Sequence, residues 1–320
     1  MSEILRITLP FFGLILIGYG AGRFGRVREE GLAGLNFFVF YFALPALFFQ
    51  LIAKTPIAEL ASWSFVATTT FSTYCTFAIA FSFGALVNRG NIPEATIQGL
   101  VGSYANIGFM APGLTLAAFG VAAAAPTALI FTFDNAMLFT LVPLMMTLGG
   151  TKRSDPAAMA EEIARKVVLH PFILATVAGF VAAGIGFEPP AGLDGLLTLL
   201  RSAAAPCALF SLGAGLALRP VGGWPVELPF LVAIKLIVHP LIVYLLLSWI
   251  GGFDPIWVHA AVLMAALPPA ANVFVLARQY HSYVERASAG ILAGTVASIA
   301  TVTIVLILLL NDKLPVDPFH

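Results

Sequence analysis

The sequence predicts an all-α membrane protein of ten transmembrane helices in two inverted five-helix repeats. Three observations carry this reading. Of 320 residues, 60% are hydrophobic and only 10% are charged. A soluble domain carries about 25% charge, so this chain has too little to cover itself in water. Second, ten apolar stretches are each long enough to cross a bilayer, which takes roughly 20 residues of helix. Third, the two halves place similar proline-containing phrases at corresponding positions. A mean hydropathy of +0.97 agrees with lipid as the solvent. Backbone inside lipid must be helix or closed barrel. Barrel strands alternate apolar and polar residues, whereas runs such as Ile299–Leu310 are continuously apolar.

The segments follow in order. The first, near 4–22, is trailed by Arg23, Arg26 and Arg28, the wrong polarity for a cleaved leader, so it reads as a retained helix. Segments 35–53, 63–87, 95–118 and 127–148 are divided by polar breaks such as Lys54–Glu59 and Asn88–Glu94. Gly149–Lys166 is the longest polar stretch and marks the midpoint. Segments 167–187, 192–217, 226–250, 256–279 and 286–310 complete the second half, with Gly251–Pro255 as one of the breaks. The expected organisation is a first repeat over 1–150, a cytoplasmic connecting loop over 151–166 and a second repeat over 167–320. Trp63, Trp224, Trp249 and Trp257 fall near span ends and read as interface anchors. Gly18-x-x-x-Gly22 and Gly290-x-x-x-Gly294 permit close helix contact. Cys75 and Cys207 sit in apolar runs, with no metal-binding spacing, and read as packing residues.

Lys and Arg near span ends stay cytoplasmic. With the N-terminus outside, the cytoplasmic side holds Arg23, Arg26, Arg28, Arg89, Lys152, Arg153, Arg165, Lys166, Arg219, Arg278 and Arg286. The outside holds Arg6, Lys54, Arg201 and Lys313, and Lys235 is left in mid-membrane. The asymmetry of 11 against 4 places both termini outside. Five helices per half is an odd number, which forces the two halves to be inverted. The second helix of each half carries a matching phrase, Leu44-Pro45-Ala46-Leu47-Phe48 in one and Ala205-Pro206-Cys207-Ala208-Leu209-Phe210 in the other. Inverted repeats with interrupted helices point to a secondary transporter.

The fourth helix of each half carries the candidate site. One contains Asn106, Gly108 and Pro112; the other contains Pro268, Pro269 and Asn272. Proline in a helix interior removes one amide donor and crowds the carbonyl four residues back, at about 3 kcal/mol. In lipid the freed groups need protein, water or ligand. A break also creates half-helix N-termini, which suit an anion. The bland alternative is a proline kink with packing glycines. Two ionisable residues lie deep in spans, where they are costly and so candidates for function. Asp134 is one, the alternative being a structural hydrogen bond. Lys235 is the other, the alternative being snorkelling to an interface. Such a lysine can hold positive charge for an anion or act as a cation in place of a metal ion. His170 and His239 each precede a proline and read as structural or proton-handling.

These residues together resemble the auxin efflux carrier family of membrane transporters, whose bacterial members include carriers named for malonate or malate. The resemblance covers nearly the whole chain. It rests on Asn106-Ile107-Gly108-Phe109, on Pro269-x-x-Asn272, on Lys235 before His239-Pro240, and on Pro45 and Pro206. It implies two inverted five-helix repeats whose broken fourth helices cross near the membrane centre beside the substrate, as in sodium/proton antiporters and bile-acid symporters. The short central loop favours the bacterial type over the plant auxin exporters.

The expectation is therefore a carrier of small organic anions, most simply carboxylates, working by alternating access in a bacterial inner membrane. Asn106, Gly108, Pro112, Pro269, Asn272 and Lys235 are the expected substrate-binding residues, and Asp134 with Lys235 the ion-coupling pair. A proton or sodium ion is the expected coupling partner, and a second copy of the chain a candidate one. No cofactor, metal or nucleic acid is expected: net charge is zero, no basic patch is present, and there is no Gly-x-x-x-x-Gly-Lys-Ser/Thr loop. The rivals are a channel, a membrane sensor or an intramembrane enzyme. No His-Glu-x-x-His or Gly-x-Ser-x-Gly motif supports the last.

Overall fold

The computed structural model describes residues 2–150, 161, 165, 168–219, 223–311, 313–316 and 318–319. Most of the expected connecting loop 151–166, with Lys152, Arg153 and Lys166, lies outside the described residues. The protein is helical. In chain order the helices of two turns or more among the described residues are α1 (Ser2–Arg23), α2 (Glu29–Ala53), α3 (Trp63–Val87), α4 (Ile92–Ser103), α5 (Ala111–Phe119), α6 (Ala124–Leu148), α7 (Pro171–Gly184), α8 (Ala191–Leu218), α9 (Leu228–Ile250), α10 (Pro255–Ala265), α11 (Asn272–Gln279) and α12 (Val284–Leu310). Helix overlaps each of the ten apolar segments.

Among the described residues, six stretches are long and apolar enough to cross a membrane. They are Glu29–Ala53, Trp63–Val87, Ala111–Leu148, Ala191–Leu218, Leu228–Ile250 and Val284–Leu310. Gly120, at φ +69°, ends α5, so Ala111–Leu148 is two helices joined by a tight turn. α7 and α10 are apolar but shorter. The segment expected over 256–279 is divided into α10 and α11, and that over 95–118 into α4 and α5. Large apolar side chains stand exposed along the helices, among them Leu16 and Ile17 on α1, Leu199 on α8, Ile237 and Leu241 on α9, and Val296 and Ile304 on α12. In water such a surface would aggregate; in lipid it is solvated.

Two prolines shape their helices in the same way. Pro45 and Pro240 each follow, two residues on, a five-residue π-helical turn, Val39–Ala43 and Ile234–Val238. The ring of a proline crowds the carbonyl of the fourth residue before it. A wider turn relieves that crowding and re-satisfies the freed carbonyls, which lets both helices run on through their prolines. Pro206 and Pro143 lie inside α8 and α6 without such a turn.

The chain divides into two compact units. One comprises Met1–Trp63, Gly108–Thr132 and Arg165–Leu218; the other comprises Ser64–Ile107, Phe133–Ala164 and Arg219–His320. In the first unit α1 packs along α8, and α2 packs on α7 and α8. The α1–α8 contact is backbone to backbone. A Cβ at Gly18 would collide with the carbonyl of Phe210, and one at Gly213 with the carbonyl of Ile15. In lipid, where apolar burial drives little helix association, this closeness supplies the packing. Phe40, Phe48, Phe131 and Phe172 form an aromatic cluster in this unit.

In the second unit α4 packs against α9, α11 and α12, and α10 packs against α9 and α12. α3 joins α4 through Gly99 and Gly102, which lie against Phe77 and Ala80. The tryptophan reading needs one correction. Trp63, Trp224 and Trp249 are exposed at 66–69%, but Trp257 is 8% exposed. Its ring packs edge-on against Phe65, with centroids 4.8 Å apart. Trp257 stands in the first turns of α10, which the rest of its unit covers, so span-end position alone did not distinguish an anchor from a core residue.

Candidate functional site

The second unit contains the unwound residues between α10 and α11, the first unwound residues after α4, and the deep ionisable residues. α4 ends at Ser103, and Tyr104 leaves the helix with extended backbone (φ −78°, ψ 108°). α10 ends at Ala265, and α11 resumes at Asn272. The two unwound segments cross and pair. The amide of Asn106 donates to the carbonyl of Pro268 at 2.8 Å, and the amide of Ala270 donates to the carbonyl of Tyr104 at 3.0 Å. Ala105 and Pro269 form the resulting antiparallel bridge. Each break thus satisfies backbone groups that the other has freed, which is what permits irregular backbone at membrane depth.

Neighbouring helices hold the crossing. Gly294 of α12 faces Pro269 so closely that a Cβ there would meet the proline ring. The phenol of Tyr104, 1% exposed, donates to Oδ1 of Asn135 on α6 at 3.0 Å. Asp134, the residue before Asn135, is 3% exposed and accepts from the Thr73 hydroxyl of α3 at 3.3 Å.

Thr73 belongs to a buried polar stripe on α3 formed by Thr69, Thr73 and Thr76 with Thr68 and Ser72. Most of these hydroxyls return to their own helix; Thr68 donates to the carbonyl of Ser64 and Thr76 to that of Ser72. The Thr73 hydroxyl, besides lying 3.3 Å from the Thr69 carbonyl of its own helix, also reaches outside it to the Asp134 carboxylate. Such a stripe within an apolar span is a readable sign that sequence reasoning passed over.

Lys235 lies in the π-helical turn of α9 and is 0% exposed, so it does not snorkel to an interface. Its Nζ donates to the carbonyl of Ala265 at 2.5 Å and lies 3.2 Å from Nδ1 of His239. A helical carbonyl accepts from the amide four residues on. For Ala265 that residue is Pro269, which has no N–H. The lysine takes the acceptor that the proline has orphaned. Among the described residues Lys235 and Asp134 form no direct ion pair, but each lies within the other's electrostatic field.

The expected site residues are thus distributed as follows. Asn106 (1% exposed) and Pro269 meet at the crossing, and Asn272 opens α11 three residues later. Lys235 is attached to the end of α10, and Asp134 stands beside Thr73. Gly108 and Pro112 fall in the first unit. Gly108 there faces Phe40 and Phe131, and Pro112 lies in the first turn of α5. His170 precedes the proline that starts α7, its ring 5.0 Å from Phe172.

One buried carboxylate escaped the sequence reading. Glu227, 7% exposed just before α9, accepts from Tyr283 at 2.8 Å and pairs with Arg286 at 3.3 Å. Gln98 joins it at 3.4 Å. Burial pushes the Tyr283 phenol above its usual range. In sequence Glu227 stands at the very start of the segment 226–250 and looks like an ordinary span-end residue, because its partners lie 56 and 59 residues away and, for Gln98, 129.

Apolar helices with large exposed apolar side chains, two interrupted helices that cross, and buried charges beside the crossing are the features of a multi-pass membrane protein of the transporter class. The chain belongs to the family described as membrane transport protein, the auxin efflux carrier family, which matches residues 4–306. It is 50% identical over 319 residues to a protein of Rhizobium meliloti (strain 1021) named as a candidate malonate transporter, covering 100% of both chains. An uncharacterized transporter of Escherichia coli (strain K12), YfdV, is 24% identical over 301 residues, covering 92% of this chain and 93% of that one. Auxin efflux carrier component 1 of Arabidopsis thaliana is 27% identical over 151 residues, covering 45% of this chain and 24% of the plant protein.

Proposed function

We propose that this protein is a secondary carrier of small organic anions, with a dicarboxylate such as malonate as its substrate, working by alternating access. In this reading ten helices cross a bacterial inner membrane as two inverted five-helix repeats, with both termini outside. The observation that carries the reading is the paired crossing of two interrupted helices. It brings unwound backbone, Asn106 and the start of α11 together inside one compact unit. The first amides of α11 carry partial positive charge, which favours an anion. The side-chain amides of Asn106, which is buried, and of Asn272 are the donor groups that a carboxylate would engage. Lys235 keeps the local field positive, and Asp134 is the group that takes up a coupling proton. The whole-length relative named for malonate supports a carboxylate over other anions.

A thermal-unfolding screen of purified protein against mono- and dicarboxylates tests this directly. A ligand that binds only the folded state stabilises it by about 2.7 kcal/mol at 100 times its Kd. Malonate should raise the unfolding midpoint in a saturable way, above the effect of chloride at equal ionic strength. A set of carboxylates with no specific shift would sink the substrate assignment.

A further inference from the structure

The contact between Lys235 and the end of α10 has a meaning beyond charge balance. In membrane carriers with broken helices, unwound carbonyls and the C-terminal ends of half-helices are the groups that coordinate a coupling cation. The carbonyl of Ala265 is such a group: it ends α10, and Pro269 leaves it without its helical donor. Here it is taken by Nζ of Lys235 at 2.5 Å, with Nδ1 of His239 as a second neighbour at 3.2 Å. Lys235 is fully buried and His239 is 2% exposed. An ammonium carries the charge of an alkali cation and directs its N–H donors at the acceptors a cation would use. It also lies at the negative end of the α10 dipole.

We infer that the ammonium of Lys235 fills the place of a coupling cation at this helix break, so that the chain carries a tethered cation there and binds no sodium ion. The functional meaning rests on the carrier reading, but the occupancy of the place is testable without transport.

The test uses the purified full-length chain without substrate. The unfolding midpoint of the wild type is expected to be the same in sodium chloride, choline chloride and methylammonium chloride at equal ionic strength. Lys235→Ala leaves a buried carbonyl with no donor, and its midpoint is expected several degrees lower in choline. Methylammonium, small enough to enter the vacated place, is expected to restore most of that loss in a saturable manner, while choline does not. A sodium-specific rise in the wild-type midpoint would overturn the inference. So would a Lys235→Ala protein that responds to methylammonium no more than to choline. Should Lys235→Ala not fold, the wild-type comparison still decides, together with Lys235→Met. That variant keeps the bulk without the charge and is expected to be less stable than wild type and unresponsive to methylammonium; wild-type stability in it would count against the tethered cation. Failure of malonate to bind would overturn the substrate reading and leave these midpoints unchanged.

Discussion

Gly294→Ala probes the crossing through its packing. Gly294 lies inside α12, and an added Cβ would run into the ring of Pro269. That ring cannot move aside easily, because residues 268–270 are tied to 104–106 by two backbone hydrogen bonds. Overpacking a well-filled site costs about 1–3 kcal/mol. Alanine itself favours a helix interior by about 1 kcal/mol over glycine, so the raw change is a difference of two effects. Gly13→Ala in α1 separates them, since nothing lies within 4 Å of the Cβ it would add. The two variants share the propensity gain and differ by the collision, so Gly294→Ala should be about 1–3 kcal/mol less stable than Gly13→Ala. Thermal unfolding in detergent reads the gap as a few degrees. Malonate affinity should fall in Gly294→Ala alone. Equal midpoints and equal affinities would show that α12 does not hold Pro269 as described.

Other expectations follow from the same geometry. Thr73→Val removes the hydroxyl donor to Asp134 and should lower malonate transport by roughly five- to a hundredfold, the loss of about 1–3 kcal/mol at a charged acceptor; Thr68→Val, whose hydroxyl returns to its own helix, should leave transport within twofold, and equal effects would show that Thr73 has no special role. Asn106→Ala and Asn272→Ala should each weaken malonate binding by roughly five- to a hundredfold in calorimetry, from about 1–3 kcal/mol per lost buried hydrogen bond; unchanged affinity in both would reduce these residues to packing. A C-terminal alkaline phosphatase fusion should be active in a bacterial host, because the basic residues place that terminus outside; an inactive phosphatase and an active cytoplasmic reporter would overturn the topology.

The helices were legible because lipid imposes a simple rule, a long apolar run for each span, and segments such as 63–87 and 286–310 obey it. The breaks were legible because Asn106, Pro112 and Pro269 interrupt such runs in ways that only protein, water or ligand can repair. The partners were not. Nothing in the order of residues says that Ala270 returns its amide to Tyr104, since pairing across 166 positions depends on how the helices pack. The same holds for Lys235, whose depth was readable but whose partner, a carbonyl orphaned by Pro269, appears only in three dimensions. Asp134 and Lys235 drew attention as an opposite-charge pair. The structure instead gives each its own polar neighbour, Thr73 for one and Ala265 with His239 for the other. Glu227 was passed over because position near a span end looks like solvent exposure until Tyr283 and Arg286 are folded onto it.

Uptake of radiolabelled malonate into proteoliposomes containing only this protein tests the central claim most directly. The account predicts uptake that saturates with malonate concentration, accelerates when unlabelled malonate is preloaded inside, and persists when choline replaces sodium. Flux that rises linearly without saturation and shows no acceleration by internal malonate would mark a channel, and no flux above protein-free liposomes would contradict the carrier reading.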